Sequence, residues 1–292
     1  MNDKQKQQMA KLNTISNGEI SITVSTAGAE MQNLKVLAEE REMLWQGIPE
    51  YWHGRSPILF PAVGGLWNGT YRLNGKSYCM PKHGFMREKE WTLEEETADS
   101  LTYVYKDCGE NREAFPWPYE VRVRYALEGR RVKATMTVLN LGDSTMFFQM
   151  GGHPGFVLPD FDEDAAVDGY LKLEGKNISH VLRATEQGCT EPQHFDFPKE
   201  ADGQHFNLIK TSPSLSWFGR VDVRAFLHGT FKADGVAKTI PRFGADEWRV
   251  HTLWRPKQPN GSRTLYSYQR ALCLVEHNGA FHLEVRVRYA LE

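Results

Sequence analysis

Residues 120–138 read EVRVRYALEGRRVKATMTV, and this stretch is the strongest fold signal in the chain. Apolar residues recur at every second position on both sides of Glu128-Gly129: Val121, Val123 and Tyr125 before it, and Val132, Ala134, Met136 and Val138 after it. Such alternation places one row of side chains on a core face and the other toward solvent, as strands require. The Glu-Gly pair is typical of a turn. The stretch therefore predicts two β-strands joined by a turn.

The same pattern recurs along the chain. Ile20, Ile22 and Val24 alternate with polar residues, and residues 111–114 suggest at most a short helical turn. Further turn signals stand at Asn74-Gly75, Gly142-Asp143, Asp168-Gly169, Asp234-Gly235 and Asn278-Gly279. Many short strands with frequent turns predict an all-β sandwich or barrel. We expect a disordered polar leader over residues 1–12 and a single domain over 13–292, because no linker-like stretch divides the chain.

One nine-residue segment occurs twice. Glu284–Glu292 repeats Glu120–Glu128 letter for letter. Two equivalent strands that converged on one pattern would explain the repeat, and so would a local duplication or a coding rearrangement. Both copies are predicted to be strands.

Composition excludes several classes of protein. The 292 residues carry a net charge of −2, which provides no basic footprint for nucleic acid. No stretch approaches the ~20 apolar residues of a membrane span, and the polar N-terminus does not resemble a secretory signal. The four cysteines are far apart and form no C-x-x-C pair. We therefore expect free thiols and a cytoplasmic location.

Two histidines stand in similar surroundings. His83 lies in Lys-His-Gly-Phe and His153 in Gly-Gly-His-Pro-Gly-Phe. Flanking glycines allow backbone to approach a ligand closely, and strand ends that open into loops commonly present functional side chains. A histidine in such a setting, taken singly, is more often structural than catalytic, but two in the same setting make the two roles equally consistent with the sequence.

Other chemistries have less support. No H-x-H or H-E-x-x-H pair suggests a metal site, so we predict none. There is no G-x-S-x-G nucleophile elbow, and Asp160–Asp164 lacks the spacing of an EF-hand. Several aromatic residues lie in Gly- or Pro-rich stretches and suit the apolar faces of sugar rings: Trp45, Tyr51, Trp52, Trp67 and Trp117.

A known family shares these motifs in the same order. They are WHGRSPILFPAVG at 52–64, NGTYRLNG at 68–75, HGF at 83–85 and GHPGF at 152–156. Over about residues 13–200 the chain resembles the aldose 1-epimerases, in their galactose mutarotase-like branch.

The resemblance implies a large antiparallel β-sandwich, the galactose mutarotase-like supersandwich, and an isomerase that interconverts the α and β anomers of a free aldohexose without a cofactor. By position, His153 resembles the acid that protonates the ring oxygen, and His83 resembles the group that binds and polarises the sugar beside it. A carboxylate should take the proton of the C1 hydroxyl. Opening the ring needs such an acid and base, and imidazole titrates near neutral pH.

The sequence departs from the family at two places. Gly65 stands where relatives usually carry an arginine. Arg55 or Arg87 is predicted to replace the sugar contact of that arginine. Trp67 and Gln149 are predicted as further sugar-binding residues. The family's glutamate normally lies in a Cys-x-Glu-Pro-Trp motif. Glu276 follows Cys273 but lacks the Pro-Trp, and Glu247 is the alternative; we favour Glu276.

These departures leave two alternatives to the epimerase. One is an inactive or weakly active sugar-binding protein on the same fold. The other is a hexose-6-phosphate 1-epimerase, which needs Arg or Lys around the pocket for the phosphate. In each case the expected partner is a small sugar, with no nucleic acid and no membrane, and the chain is a monomer or homodimer.

Overall fold

The computed structural model describes residues 10–49 and 52–158, and beyond them Cys189 and the strand segments given below. Strands dominate the described residues; the helical elements among them are three short 3-10 helices at Leu37–Glu39, Trp67–Gly69 and Met86–Glu88. The prediction of an all-β fold is therefore confirmed. None of these helices is long and apolar enough to cross a membrane.

The strands up to residue 158 are β1 (Leu12–Ser16), β2 (Ile20–Ser25), β3 (Met31–Val36), β4 (Arg41–Glu42), β5 (Ile58–Leu59), β6 (Thr70–Leu73), β7 (Lys76–Cys79), β8 (Thr92–Glu96), β9 (Ser100–Lys106), β10 (Tyr119–Leu127), β11 (Arg131–Asn140), β12 (Met146–Gly152) and β13 (Gly155–Leu158). Those that follow are β14 (Tyr170–Lys172), β15 (His180–Val181), β16 (Phe195–Asp196), β17 (His205–Asn207), β18 (Asp222–Phe226), β19 (Val250–Leu253), β20 (Arg263–Gln269), β21 (Ala271–Val275) and β22 (Ala280–Arg288).

Antiparallel pairing joins these strands into sheets. The larger sheets have the orders β1-β2-β3-β4, β18-β22-β11-β10-β9-β8, β21-β12-β5 and β13-β20-β19, and two-stranded pairs join β14 to β17, β15 to β16 and β6 to β7. Successive strands are often neighbours because two-residue turns such as Asn74-Gly75 return the chain directly. The large antiparallel sandwich that the resemblance implied is the fold observed.

The stretch at 120–138 forms the centre of the six-stranded sheet. Val121 pairs with Val138 and Val123 with Met136, so the two apolar rows share one face. Val121, Val123 and Val138 have no exposed surface. Burying an aliphatic side chain of this size contributes roughly 1.5–3 kcal/mol. The two predicted strands, and the strand predicted around Ile22, are therefore confirmed.

The four-stranded and six-stranded sheets share one hydrophobic core. Tyrosine hydroxyls join the two sheets across it: Tyr125 donates to the carbonyl of Ala29 at 2.8 Å, and Tyr103 donates to that of Val24 at 3.4 Å. Burial raises the pKa of Tyr125, which keeps its hydroxyl a donor. Among the described residues this core is drawn from residues 15–150, and the single domain over 13–292 stays a prediction. β1 begins at Leu12, within the predicted leader.

The two copies of the repeat flank the same strand. Glu120 lies opposite Leu139 of β11, whereas Glu284, in the second copy, lies opposite Thr135 on the other edge of β11. The copies are therefore offset by four positions along β11. Val285 and Val287 pair with Ala134 and Val132. Along β11 these two residues continue the every-second-residue series of Met136 and Val138, the partners of Val123 and Val121.

Candidate active site

His153 is presented where β12 leaves its sheet. The last residues of β12, Gly151 and Gly152, pair with Leu59 and Ile58 of β5. The backbone N–H of His153 then donates to the carbonyl of Pro57 at 3.0 Å. The chain stays tied to the Arg-Ser-Pro segment that precedes β5, and His153 is 6% exposed.

His83 is brought to the other end of β5 by a close backbone approach. Phe60, directly after β5, forms an isolated parallel bridge with Gly84. A Cβ at Gly84 would lie 2.2 Å from the carbonyl oxygen of Phe60, and Gly84 has a φ of +68°. Only glycine satisfies both conditions without strain. The neighbouring His83 also has a positive φ, of 69°.

A pair of hydrogen bonds joins His83 to Gly64, and we call this pair the Gly64–His83 clamp. The N–H of His83 donates to the carbonyl of Gly64 at 2.9 Å. In the opposite direction, the N–H of Gly64 donates to Nδ1 of His83 at 3.0 Å. The imidazole is therefore held by its own side-chain nitrogen as well as by its backbone, and it is 7% exposed.

The fold brings the two predicted histidines together. Their ring centroids are 5.4 Å apart, with the planes inclined at 75°. The ring of Trp52 also lies beside that of His153, at 4.9 Å between centroids and 34° between planes. Residues 70 positions apart thus form one compact group of two imidazoles and an indole, which can present nitrogen donors and acceptors beside an apolar ring face.

Two of the predicted sugar-binding residues contact the protein itself. The amide oxygen of Gln149 accepts the N–H of Val63 at 2.9 Å, which supports the loop that carries Gly64. The guanidinium of Arg55 donates to the carbonyl of Gln32 at 2.8 Å and to Oε1 of Gln46 at 3.2 Å. These contacts position the loops around the histidines, and a sugar contact by either residue stays a prediction.

The other two predicted binding residues are more accessible. Trp67 lies in the second 3-10 helix, three residues from Gly64, and is 58% exposed. The side chain of Arg87 is 33% exposed, and it lies 3.7 Å from a carboxylate oxygen of Glu88. Trp45 and Trp117, grouped with Trp67 from the sequence, are instead packed in the interior at 1% and 3% exposure. Glu247, Glu276 and Tyr51 lie outside the described residues.

One carboxylate that supports the segment holding His153 was not predicted from the sequence. Oε1 of Glu30 accepts the backbone N–H groups of Arg55 and Ser56, at 2.6 and 2.8 Å. It thereby fixes the segment whose next residue, Pro57, accepts the N–H of His153. Glu30 directly precedes β3 and lies 25 residues before this segment, so no local pattern could have revealed the contact. Among the described residues, no three His, Cys, Asp or Glu side chains are grouped to hold a metal.

A family model described as aldose 1-epimerase matches residues 11–202. The chain belongs to the aldose 1-epimerase family. The matched range contains β5, the Gly64–His83 clamp and His153, and it ends before Glu247 and Glu276. The family match therefore includes all of the site residues that the structure describes.

The chain is also similar to curated relatives and to solved structures. The chain is 34% identical over 151 residues to the chromosomal and the plasmid forms of protein LacX of Lactococcus lactis subsp. lactis. That match covers 50% of this chain and 50% of each relative, so the chain spans about half the length of the curated relatives it matches.

The fold is similar to that of a galactose mutarotase related enzyme from Lactobacillus acidophilus, with a TM-score of 0.72 and 23% identity over 96% of this chain and 98% of that one. A galactose mutarotase-like protein from Lactobacillus casei gives a TM-score of 0.71 and 20% identity over 95% and 99% of the two chains. At these identities the likeness supports the galactose mutarotase-like fold alone.

Proposed function

We propose that the protein is an aldose 1-epimerase that interconverts the α and β anomers of a free aldohexose. The observation that carries this proposal is the pair of imidazoles 5.4 Å apart. Two such groups, buried together against Trp52, can surround a single ring oxygen. Fixed polar groups in a site that excludes water act more strongly on developing charge than they would in solution.

The reaction needs one proton delivered and one removed. A base takes the proton of the C1 hydroxyl, the C1–O1 bond becomes a carbonyl, and the C1–O5 bond breaks. The electron pair of that bond stays on O5, which takes a proton from His153. Rotation about C1–C2 and the reverse steps then give the other anomer. His83 donates a hydrogen bond beside O5, and Glu276 is the proposed base, with Glu247 as the alternative.

An exposed aromatic face and a partly exposed guanidinium would suit a sugar bound at the histidines. The exposed indole of Trp67 can stack on the apolar C–H face of the ring, and Arg87 can donate to its hydroxyls. The guanidinium of Arg55 already donates to two protein oxygens. Its side chain therefore favours a structural role over a phosphate contact, and the hexose-6-phosphate alternative would depend on other basic side chains such as Arg87.

A sugar-binding protein without turnover is the second candidate. Two features favour it: Gly65 stands where the resemblance leads us to expect an arginine, and the family match ends at residue 202, before either candidate glutamate. Measuring anomer exchange and sugar binding on the same sample separates the candidates. Accelerated exchange supports the enzyme, whereas binding with no acceleration supports the second candidate.

The setting of the reaction is also a proposal. Cys79 and Cys108 are exposed free thiols, which suit a reducing compartment, and we place the protein in the cytoplasm as a monomer or homodimer.

A further inference from the structure

The Gly64–His83 clamp determines where the proton of His83 sits. A backbone N–H can only donate, so Nδ1 of His83, 3.0 Å from the nitrogen of Gly64, must be an acceptor. A neutral imidazole that accepts at Nδ1 carries its proton on Nε2. An imidazolium would bring the N–H of Nδ1 against that of Gly64. A flipped ring would bring a C–H there and leave a buried amide unsatisfied.

The backbone makes this arrangement specific. The positive φ of His83, 69°, and that of Gly64, 81°, let each residue use its N–H toward the other. The bridge between Phe60 and Gly84 fixes the chain immediately after His83. The loop of Gly64 is itself held, because Gln149 accepts the N–H of the preceding Val63. The amide that faces Nδ1 therefore has little freedom to turn away.

We propose that the backbone amide of Gly64 holds His83 as the neutral Nε2–H tautomer, so that His83 serves the sugar only as a hydrogen-bond donor. Its place in turnover rests on the proposed function. The tautomer itself is a property of the free protein. Gly64 is thus a positioning residue, and His83 does not exchange a proton during the reaction, which leaves the ring-oxygen proton to His153.

The tautomer can be measured without turnover. Long-range ¹H–¹⁵N correlation spectra of protein labelled in histidine, with His83→Asn used to assign the signals, distinguish a pyridine-type from a pyrrole-type nitrogen. We expect a pyridine-type Nδ1 and a pyrrole-type Nε2 for His83 at neutral pH. An Nδ1–H tautomer, or two pyrrole-type nitrogens, would overturn the proposal whether or not the protein is an epimerase.

Two substitutions separate the donor from the clamp. In His83→Gln the side-chain amide can place an N–H near the position of Nε2 but gives up the contact with Gly64. In His83→Asn the amide oxygen can still accept from Gly64, but no donor reaches the sugar. Asparagine also tolerates a positive φ.

The expected order of rates is wild type, then Gln, then Asn and Ala together. Removing a single well-placed donor costs roughly 100- to 1,000-fold in kcat, which we expect for Asn and Ala, and a less well aligned donor should recover at least about tenfold of it in Gln. Thermal unfolding establishes that each variant is folded. If folded Gln is as slow as folded Ala, donation alone is not what His83 provides and the proposal is wrong. If wild type itself shows no exchange, the proposed function fails while the spectra still decide the tautomer.

Discussion

His153 and His53 form a matched pair for testing the proposed acid. His153 is buried beside Trp52 and His83, whereas His53, next to Trp52 in the chain, is exposed. We expect His153→Ala to lower kcat for anomer exchange by about 100- to 10,000-fold, the range for loss of one acid–base group. His53→Ala should keep the wild-type rate. Wild-type exchange in folded His153→Ala would show that another group protonates O5.

Gly84 and Gly75 both have positive φ angles, +68° and +80°, but they differ in what surrounds them. Alanine at Gly75 has no described neighbour within 4 Å, so it incurs backbone strain alone, about 1–2 kcal/mol. Alanine at Gly84 would collide with the backbone of Phe60 as well. We expect Gly84→Ala to lower the free energy of unfolding by at least ~2 kcal/mol more than Gly75→Ala in urea titrations. Equal losses would mean that β5 moves freely away from Gly84.

Residue by residue, local motifs identified the two histidines but not their setting. Each of the Gly-flanked motifs around His83 and His153 is continuous in the sequence, so both can be recognised from the sequence alone. The amide of Gly64 and the carboxylate of Glu30 reach the site through the fold, and no spacing rule connects them to it. Trp45 and Trp117 resembled loop aromatics because Gly and Pro are nearby, yet their indole rings fill the core.

At the scale of elements, Glu30 links β3 to the segment that holds His153. One carboxylate oxygen accepts two backbone N–H groups there, and hydrogen bonds to a charged acceptor are worth about 1.5–3 kcal/mol each. Since Glu30 is partly exposed, we expect Glu30→Ala to cost about 2 kcal/mol of unfolding free energy in urea titration. We also expect kcat to fall. The exposed Glu113 provides the control, because Glu113→Ala should change neither. Full activity in Glu30→Ala would mean that the position of His153 does not depend on this segment.

Strand alternation predicted the elements better than their pairing. The 120–138 stretch gave two strands and their turn, because an apolar row must face a core and a short turn leaves antiparallel pairing as the simplest outcome. It did not predict that the second copy of the repeat would flank β11 from the other edge. That placement joins residues about 150 positions apart, and each identical segment fits either edge equally well by pattern alone.

For the whole molecule, the site residue still to be assigned is the base that takes the C1 hydroxyl proton. The family match ends at residue 202, and the two candidate glutamates follow it. We expect Glu276→Gln to lower kcat by about 100- to 10,000-fold, because a glutamine cannot take the C1 hydroxyl proton. Glu247→Gln should cause the smaller loss. The reverse order in the same exchange assay would assign the base to Glu247, and full activity in both would exclude them.

The fold as a whole was predictable because its signals repeat. Alternation, turn residues and family motifs agree over residues 13–200, and consistent signals of this kind point to one architecture. Beyond about residue 205 the family motifs are weak. In that part of the chain the sequence predicted the all-β fold class better than it predicted the individual strands.

Anomer exchange in the wild-type protein is the direct test of the proposed aldose 1-epimerase activity. Freshly dissolved α-glucose and α-galactose are followed by polarimetry or by one-dimensional ¹H NMR, with His153→Ala as the background. We expect equilibration at a rate proportional to protein concentration and well above that of buffer or the variant. Equilibration no faster than in buffer, in a sample that still binds the sugar, would contradict the proposed activity.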